Sequence, residues 1–363
     1  MEFIEKMREI QIHICEYLDN TDDADQNFED LSSLLTFQQN QPDIQELKSI
    51  LYIISKISKN HHRGPFFIEK IKKIIIHLKK AIKQSFSNIE IFDFFKKNKL
   101  ILLFLIEEGI LEFDSTISSQ ISKYKDYFLP EISKFNATQN SIEIPENYEE
   151  KRHKGENDSC LCEIIRNDDI DEFIIYYSKT NFSLSKTIEP SIYETNSFLE
   201  DKNPTLIEYS TFFGSIQIVR FLFQNSVILS PSLWIYAIHA QNAEIIHFLE
   251  ENKVHPKDIS FLECLTESIK CHHNDLAMYI KENLLEKFDN HSNYSEIEIF
   301  SAFEYHNFQF IPTKNNEKYF FYCAVKYDYF KLVEYYRNIE GLNINEPIIH
   351  ELFFKIISKQ NIF

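Results

Sequence analysis

Apolar residues recur at every third or fourth position along most of the chain, and this spacing predicts amphipathic helices rather than strands. In residues 2–18, for example, Phe3, Met7, Ile10 and Ile14 fall on one face of a helix. The sequence contains only 5 glycines in 363 residues, which leaves few positions for the tight turns of a β-rich fold. The pattern therefore predicts an all-α protein.

Two neighbouring stretches of this helical pattern repeat each other. Residues 205–222 read TLIEYSTFFGSIQIVRFL, and residues 233–249 read LWIYAIHAQNAEIIHFL. At an offset of 27 residues, each copy has a small anchor residue in a first helix, Ser210 or Ala237, then a polar or glycine turn and a second amphipathic helix. This organisation is typical of ankyrin-type helix pairs. We therefore expect an α-solenoid.

Anchor positions of the same kind recur through the second half of the chain, at Ile164, Ser210, Ala237, Ser268, Ala302 and Ala324. The successive intervals are 46, 27, 31, 34 and 22 residues, so the array is short and irregular. The first interval exceeds the second by 19 residues, and this excess falls in an insertion over residues 185–203. An insertion of this kind usually projects from one face of a repeat array as a binding loop.

The insertion and the neighbouring first helices supply the candidate residues for contact with a protein partner. These are Glu189, Tyr193, Glu194, Phe198, Tyr209, Tyr236 and His239. For His239 the alternative is a polar side chain that is hydrogen-bonded along the stack. No carboxylate or nucleophile spacing singles it out as a catalytic base.

Further helices are predicted before the repeats. Asp43 is the expected N-cap of one helix, with Glu46 as its capping-box partner. Gly109 is the expected C-cap of another, and Pro130 is expected to stop a third. The remaining predicted helical segments cover about residues 28–38, 65–84, 89–109 and 116–128.

These elements divide into a predicted N-terminal helical domain, residues 1–135, and degenerate ankyrin-like repeats, residues 160–363. The polar stretch 136–159 reads as a linker between them. Residues 352–363 resemble the start of one more repeat whose second helix is missing. Because terminal repeats normally carry a polar outer face, an apolar flank there predicts self-association or a frayed end.

The formal net charge is −18, which disfavours a general nucleic-acid binder. The charge is uneven: residues 1–46 hold twelve acidic and two basic side chains, whereas residues 48–83 hold ten basic side chains and one acidic. We interpret this as neighbouring helices of opposite charge. The alternative is a basic surface for an acidic partner or an anionic membrane.

The 6 cysteines lack the spacing of a disulfide framework, which indicates reduced thiols and a cytoplasmic protein. The N-terminus lacks an apolar signal core. The longest apolar run, residues 100–106, is too short to span a bilayer, so we expect no integral membrane segment.

No common phosphate-binding, hydrolase or metalloprotease motif occurs, so we expect no catalytic residues, no cofactor and no enzymatic activity. The strongest metal-like cluster is Cys264, Cys271, His272 and His273. Adjacent histidines on a helix point about 100° apart and cannot readily share one ion. We therefore interpret this cluster as a repeat turn rather than a zinc site.

Eight short stretches carry a resemblance to a known family. They read SKISKNHHR, YFLPEI, GENDS, PTLIEY, FFGSIQI, PSLW, AEIIH and SIKCHHND, and they extend over nearly the whole chain. Together they resemble a family of ankyrin-like proteins of trichomonad protists, in which a helical N-terminal region precedes a domain of divergent ankyrin-like repeats. The resemblance implies protein recognition and carries over no catalytic residues, because the family has no established activity.

The sequence thus predicts a non-enzymatic recognition module or scaffold for a protein partner. Two alternatives stay open at this point. One is an enzyme that lacks a motif and has its site between the two domains, and the other is a self-assembling structural protein.

Overall fold

Helices dominate the computed structural model, which describes residues 2–20, 22, 24–36, 43–135, 144–200, 202–258, 260–285, 291–312 and 317–337. The predicted all-α fold is confirmed in these ranges. The strand-like pairing within them is a single bridge between Thr187 and Thr205. None of the described helices is long and apolar enough to cross a membrane.

Helices α1–α9 form what we call the N-terminal half. Their bounds are α1 Glu2–Asp19, α2 Ala24–Leu34, α3 Ile44–Asn60, α4 Phe67–Ser85, α5 Asn88–Phe95, α6 Lys99–Glu107, α7 Ser115–Gln120, α8 Leu129–Phe135 and α9 Tyr148–Lys154. A 3₁₀ turn covers Ser122–Tyr124. Pro130 lies in the first turn of α8 and does not stop a helix, because a proline in the first turn gives up no intrahelical hydrogen bond.

Helices α10–α20 form the repeat half. Their bounds are α10 Cys160–Arg166, α11 Ile170–Thr180, α12 Leu206–Phe212, α13 Ile216–Gln224, α14 Leu233–Ala240, α15 Ala243–Glu251, α16 Leu262–Cys271, α17 Asn274–Tyr279, α18 His291–Glu304, α19 Glu317–Lys326 and α20 Phe330–Arg337. A π-helical turn, Ile280–Leu284, follows α17, and a 3₁₀ turn, Phe308–Phe310, follows α18.

Helix α3 shows how local sequence fixes an element. Asp43 caps it, accepting hydrogen bonds from the backbone N–H groups of Gln45 (3.0 Å) and Glu46 (3.2 Å). The Glu46 carboxylate pairs with Lys6 of α1 at 2.5 Å. On the apolar stripe of α3, Ile44 in the first turn is exposed, whereas the side chains from Leu47 to Ile57, which include Leu51, are fully buried. Each such side chain stabilises the fold by roughly 1.5–3 kcal/mol relative to an exposed one.

The predicted repeat register agrees with the backbone. All six anchors are buried. The residue four positions after each anchor has a positive φ and ends the first helix in a left-handed conformation, namely Asp168, Gly214, Gln241, His272, His306 and Asp328. At five of these turns the backbone N–H of the residue after the positive-φ position donates a hydrogen bond to the carbonyl oxygen of the anchor, at 2.8–3.2 Å. One turn geometry therefore recurs although the intervals vary.

The first helices α10, α12, α14, α16, α18 and α19 pack side by side in this order, and α11, α13, α15, α17 and α20 each pack on the first helix before them. The arrangement is a stack of helix pairs. After α18 the 3₁₀ turn Phe308–Phe310 takes the place of a second helix, and α1 packs against it. Residues 352–363, where an incomplete repeat is predicted, lie outside the described residues.

Replacing Ala237 by phenylalanine should destabilise the fold by about 1–3 kcal/mol, because Ala237 is fully buried in the packed first-helix layer. Ala243→Phe is the matched control, since Ala243 is exposed on α15 and the same substitution there adds no bulk to the core. Chemical unfolding followed by circular dichroism compares the two variants. Equal stabilities would show that the register of the stack is wrong.

The predicted linker is in part a structured element. Residues 136–143 lie outside the described residues, but Tyr148–Lys154 is helix α9. Arg152 is 2% exposed and its guanidinium pairs with Glu131 at 2.7 Å. The Tyr148 hydroxyl donates to the Asp126 carbonyl oxygen at 2.7 Å. These buried contacts make this part of the polar stretch a packed helix.

The two halves of the molecule also contact each other directly. Helix α16 packs on α3. In the loop after α3, His61 hydrogen-bonds through Nδ1 to the Cys271 carbonyl oxygen at 2.9 Å and through Nε2 to Asp19 at 2.8 Å.

Within the N-terminal half the acidic and basic segments pair as interpreted from the charge pattern, with Lys73 3.5 Å from Asp25 as an exposed example.

Candidate functional site

Residues 193–200 of the insertion (residues 185–203, of which 201 lies outside the described residues) pack between the two halves and do not project as a loop, whereas most of residues 185–192 are exposed. Tyr193 and Glu194 are 6% and 5% exposed, which corrects the prediction that they contact a partner. The Tyr193 ring packs edge-on against Tyr148, with 5.7 Å between centroids. The Glu194 carboxylate accepts a hydrogen bond from the backbone N–H of Asn196 at 2.8 Å.

Two basic side chains of the N-terminal half hold the insertion in place. Arg63 donates to the Thr195 hydroxyl (2.8 Å) and to its carbonyl oxygen (2.9 Å). Lys99 donates to the Ile192 carbonyl oxygen (2.9 Å) and pairs with Glu200 at 3.0 Å. Because these charge-assisted contacts are largely shielded from water, they bind the insertion firmly into the fold.

Tyr209 and His239 lie inside the repeat stack, which corrects the prediction that they face a partner. Tyr209 is 1% exposed and its hydroxyl accepts a hydrogen bond from Arg166 at 3.0 Å. His239 is 3% exposed, and its ring packs on Phe198 with 4.0 Å between centroids. The alternative interpretation of His239, a histidine hydrogen-bonded along the stack, agrees with its bond to Glu267 at 2.8 Å.

Two candidate residues, Phe198 of the insertion and Tyr236 of α14, line a surface groove of about 500 Å³. The full lining is Phe198, Lys202, Glu208, Ser230, Pro231, Ser232, Ile235, Tyr236, Pro256, Lys257 and Glu263. The remaining candidate, Glu189, is exposed but lies outside this groove. The structure thus brings together two of the seven predicted partner-binding residues at this groove, where Phe198 is half-buried and Tyr236 is 7% exposed.

The groove combines an aromatic and aliphatic floor with charged edges. Burial raises the pKa of Tyr236, so its hydroxyl stays protonated and can donate a hydrogen bond. The Lys202 ammonium lies 3.2 Å from the centroid of the Phe198 ring, a cation–π contact. Lys257 and Glu263 are exposed at the edge. Apolar walls with a few charges at the edge suit a side chain of a protein partner.

His239, Glu267 and Cys271 form a second arrangement with chemical potential, since one donor atom from each lies within 4.8 Å of the others. Among the described residues this is the group of three with the spacing of metal ligands. It shares only Cys271 with the cluster noted in the sequence, Cys264, Cys271, His272 and His273. Burial raises the pKa of the Cys271 thiol and lowers that of His239. Burial also raises the pKa of Glu267, but hydrogen bonds and charges from His239 and Lys270 outweigh it and lower that pKa to about 2.

This triad of side chains is therefore best described as a hydrogen-bonded network. Neutral His239 donates from Nε2 to the Glu267 carboxylate and faces the Cys271 sulfur at 3.5 Å through Nδ1. The Lys270 ammonium lies 2.7 Å from the same Glu267 oxygen, so it supplies the positive charge that a metal ion would otherwise bring to this carboxylate. Cys271 is fully buried, and its raised pKa favours the thiol over the thiolate that a nucleophile or metal ligand requires.

Histidines of the loop after α3 and of the repeat turns line the contact between the halves. We call this contact the histidine seam, and its members are His61, His62, His272, His273 and His306. The sequence stretches SKNHHR and IKCHHN contain four of them, but only the folded chain shows that they meet. Their proximity follows from α3 ending against the turn after α16.

Hydrogen bonds fix two members of the seam in their neutral forms. His273 accepts a backbone N–H at Nε2 (3.1 Å) and donates from Nδ1 to a carbonyl oxygen (2.8 Å). His272 accepts at Nδ1 from the Gln11 amide (3.1 Å) and donates from Nε2 to a carbonyl oxygen (3.0 Å). The Gln11 orientation is set by its oxygen, which accepts the Phe308 N–H at 2.6 Å. A proton added to either ring would remove an acceptor in use.

Comparison of the chain with protein-family models, with curated proteins and with solved structures gave no match. The family resemblance of the sequence therefore stays a prediction.

Proposed function

We propose that the chain is a non-enzymatic recognition module that binds a segment of a partner protein in the groove between Phe198 and Tyr236. The supporting observation is the groove, in which Ile235 and Tyr236 stand on α14 and Phe198 is fixed by the packed insertion. Because these walls are held by buried contacts, little conformational entropy is lost when a partner binds.

The lining indicates the chemistry of the partner segment. Aromatic and aliphatic walls fit one aromatic or branched apolar side chain, which would act as the anchor of the interface. Two lysines and two glutamates lie along the groove, Lys202, Lys257, Glu208 and Glu263, so polar or charged residues of either sign can flank the anchor. The proposed occupant is therefore a partner segment with an apolar anchor flanked by polar residues.

Substitutions in the groove should weaken partner binding by roughly tenfold or more while the fold is retained. Ile235→Gln removes an apolar wall and Lys257→Glu reverses an exposed charge. The matched control is Ile175→Gln, since Ile175 is 52% exposed on α11 and lies outside the groove. Affinity capture from cell lysate with quantitative mass spectrometry compares the three variants with the parent chain.

A protein captured by the parent and by Ile175→Gln, and lost with both groove variants, is the expected result. Circular dichroism and thermal unfolding of each variant confirm that the loss does not come from unfolding. If every variant retains the same set of captured proteins, binding does not use the groove and the proposal fails.

A further inference from the structure

A second cavity, lined by lysines, lies on the other side of the insertion. It has a volume of about 410 Å³ and is formed by the end of α3, the turn between α5 and α6, the 3₁₀ turn after α7 and the insertion. We call it the lysine pocket. Four lysines line it, Lys59, Lys96, Lys97 and Lys123.

The positive charge of the lysine pocket is compensated only in part. Its one lining carboxylate, Glu200, is bound to Lys99 at 3.0 Å, and Lys96 pairs with Asp93 at 2.9 Å. Within the described ranges neither Lys59 nor Lys97 forms an ion pair. This concentration of positive charge occurs in a chain whose formal net charge is −18, so it does not reflect a basic protein as a whole.

The electrostatic environment of Lys59 reflects this crowding. Burial lowers the pKa of Lys59, and the charges of Lys97, Lys270 and Lys56 lower it further, to about 8, against the opposing effect of Glu200. Like charges held at a partly buried site repel one another. An anion in the lysine pocket would relieve that repulsion and stabilise the charged form of Lys59.

The other lining groups indicate a compact polar ligand with room for an organic part. Gln120 and the Ser197 hydroxyl add neutral polar groups, while Phe92 and Tyr124 form aromatic walls. Several ammonium donors around one cavity match the several oxygens and charges of phosphate groups. A single carboxylate, with two oxygens and one charge, would leave several of these donors unused.

We propose that the lysine pocket binds a small molecule that carries two or more phosphate groups, either free in solution or as the headgroup of a lipid. The site is independent of the proposed partner groove. Ser197 and Glu200 of the insertion line the lysine pocket, whereas Phe198 and Lys202 line the groove.

Titration of the full chain with inorganic tripolyphosphate, followed by calorimetry, tests the proposal. We expect binding that weakens with salt, and a loss of about tenfold or more in affinity for Lys59→Gln and for Lys97→Gln. Lys80→Gln is the matched control, since Lys80 is exposed on the basic helix α4 and outside the lysine pocket. At pH 8 the parent chain should take up more protons on binding than Lys59→Gln does, because Lys59 is the group that is recharged.

Absence of binding by the parent chain, or an equal loss in Lys80→Gln, would overturn the proposal. Thermal unfolding without phosphate checks the folding of the variants, and Lys59→Gln should be at least as stable as the parent because it removes a partly buried charge. Co-sedimentation with phosphatidylcholine vesicles, with and without phosphatidylinositol bisphosphate, distinguishes the two sources. Vesicle binding that requires both the phosphoinositide and Lys59 assigns a lipid headgroup, whereas tripolyphosphate binding without vesicle binding assigns a free phosphate ligand.

Discussion

Lowering the pH from 7 to 5 should destabilise the folded chain by as much as about 6 kcal/mol, because His272, His273 and His306 are buried in neutral form. Each must take up a proton in the unfolded chain below about pH 6.5, and each contributes at most about 2 kcal/mol at pH 5. Denaturant unfolding at pH 7, 6 and 5, followed by circular dichroism, measures the effect.

The sign follows from the direction of the pKa shifts. Burial, with the charge of His61, lowers the pKa of His272 to about 3. Burial and the charge of His61 lower the pKa of His273 far below the ordinary value. Burial and the charge of Lys56 do the same to the pKa of His306. The unfolded state therefore binds more protons than the folded state, so stability is fully present above pH 6.5 and is lost as the pH falls. Burial raises the pKa of Glu194, which contributes with the opposite sign, but it is one group against five, because the pKa values of His62 and His239 are lowered as well.

His306 offers a sharp internal control for this prediction. Its ring stacks between Tyr52 and Tyr329, with 4.6 Å between centroids on each side. His306→Phe keeps an aromatic ring but cannot titrate, so the slope of stability against pH should fall by about 1.4 kcal/mol per pH unit. The slope is the right quantity, because position 306 has φ +53° and a substitution there changes the absolute stability as well. Exposed His255→Gln should leave the slope unchanged, and an equal change in both variants would contradict the account.

Replacing Arg152 by methionine should destabilise the chain by about 3 kcal/mol. Arg152 is 2% exposed and pairs with Glu131, which is 11% exposed, at 2.7 Å. Removing one partner of a buried pair leaves the other charge without compensation, which typically costs about 3–5 kcal/mol. Lys154→Met on the same helix is the control, since its pair with Glu163 is exposed and contributes roughly 1 kcal/mol or less.

Chemical unfolding of the two variants separates a packed helix from the linker that the sequence suggests. The double variant Arg152→Met/Glu131→Gln should recover part of the loss, because it removes the unpaired carboxylate. Equal, small effects of Arg152→Met and Lys154→Met would mean that residues 148–154 do not belong to the core.

The helical repeats could be predicted because their signal is local. Small anchors such as Ser210 and Ala237 and the turn four residues later repeat in sequence, and the backbone keeps the same left-handed turn at each copy. An αL conformation at a helix end follows from chain geometry within a few residues. The irregular intervals between copies did not obscure the repeat, because the turn always lies four residues after the anchor.

The positions of the insertion and of α9 could not be predicted because long-range contacts decide them. A polar stretch such as 185–203 resembles a surface loop, and only its contacts with Arg63 and Lys99 show that it is packed. These cations lie about a hundred residues away in sequence. Phe198 and Tyr236 could be named as candidates from the sequence. The burial of Tyr209 could not be foreseen, because it too depends on long-range contacts.

Site-specific photo-cross-linking tests the central proposal, recognition of a partner in the groove, most directly. A photoreactive phenylalanine derivative is placed at exposed position 257, on the edge of the groove, or at exposed position 175 on α11. We expect a discrete cross-linked protein from position 257 that is absent from position 175 and is lost when Ile235→Gln is added. No adduct from position 257, or the same adducts from both positions, would contradict it.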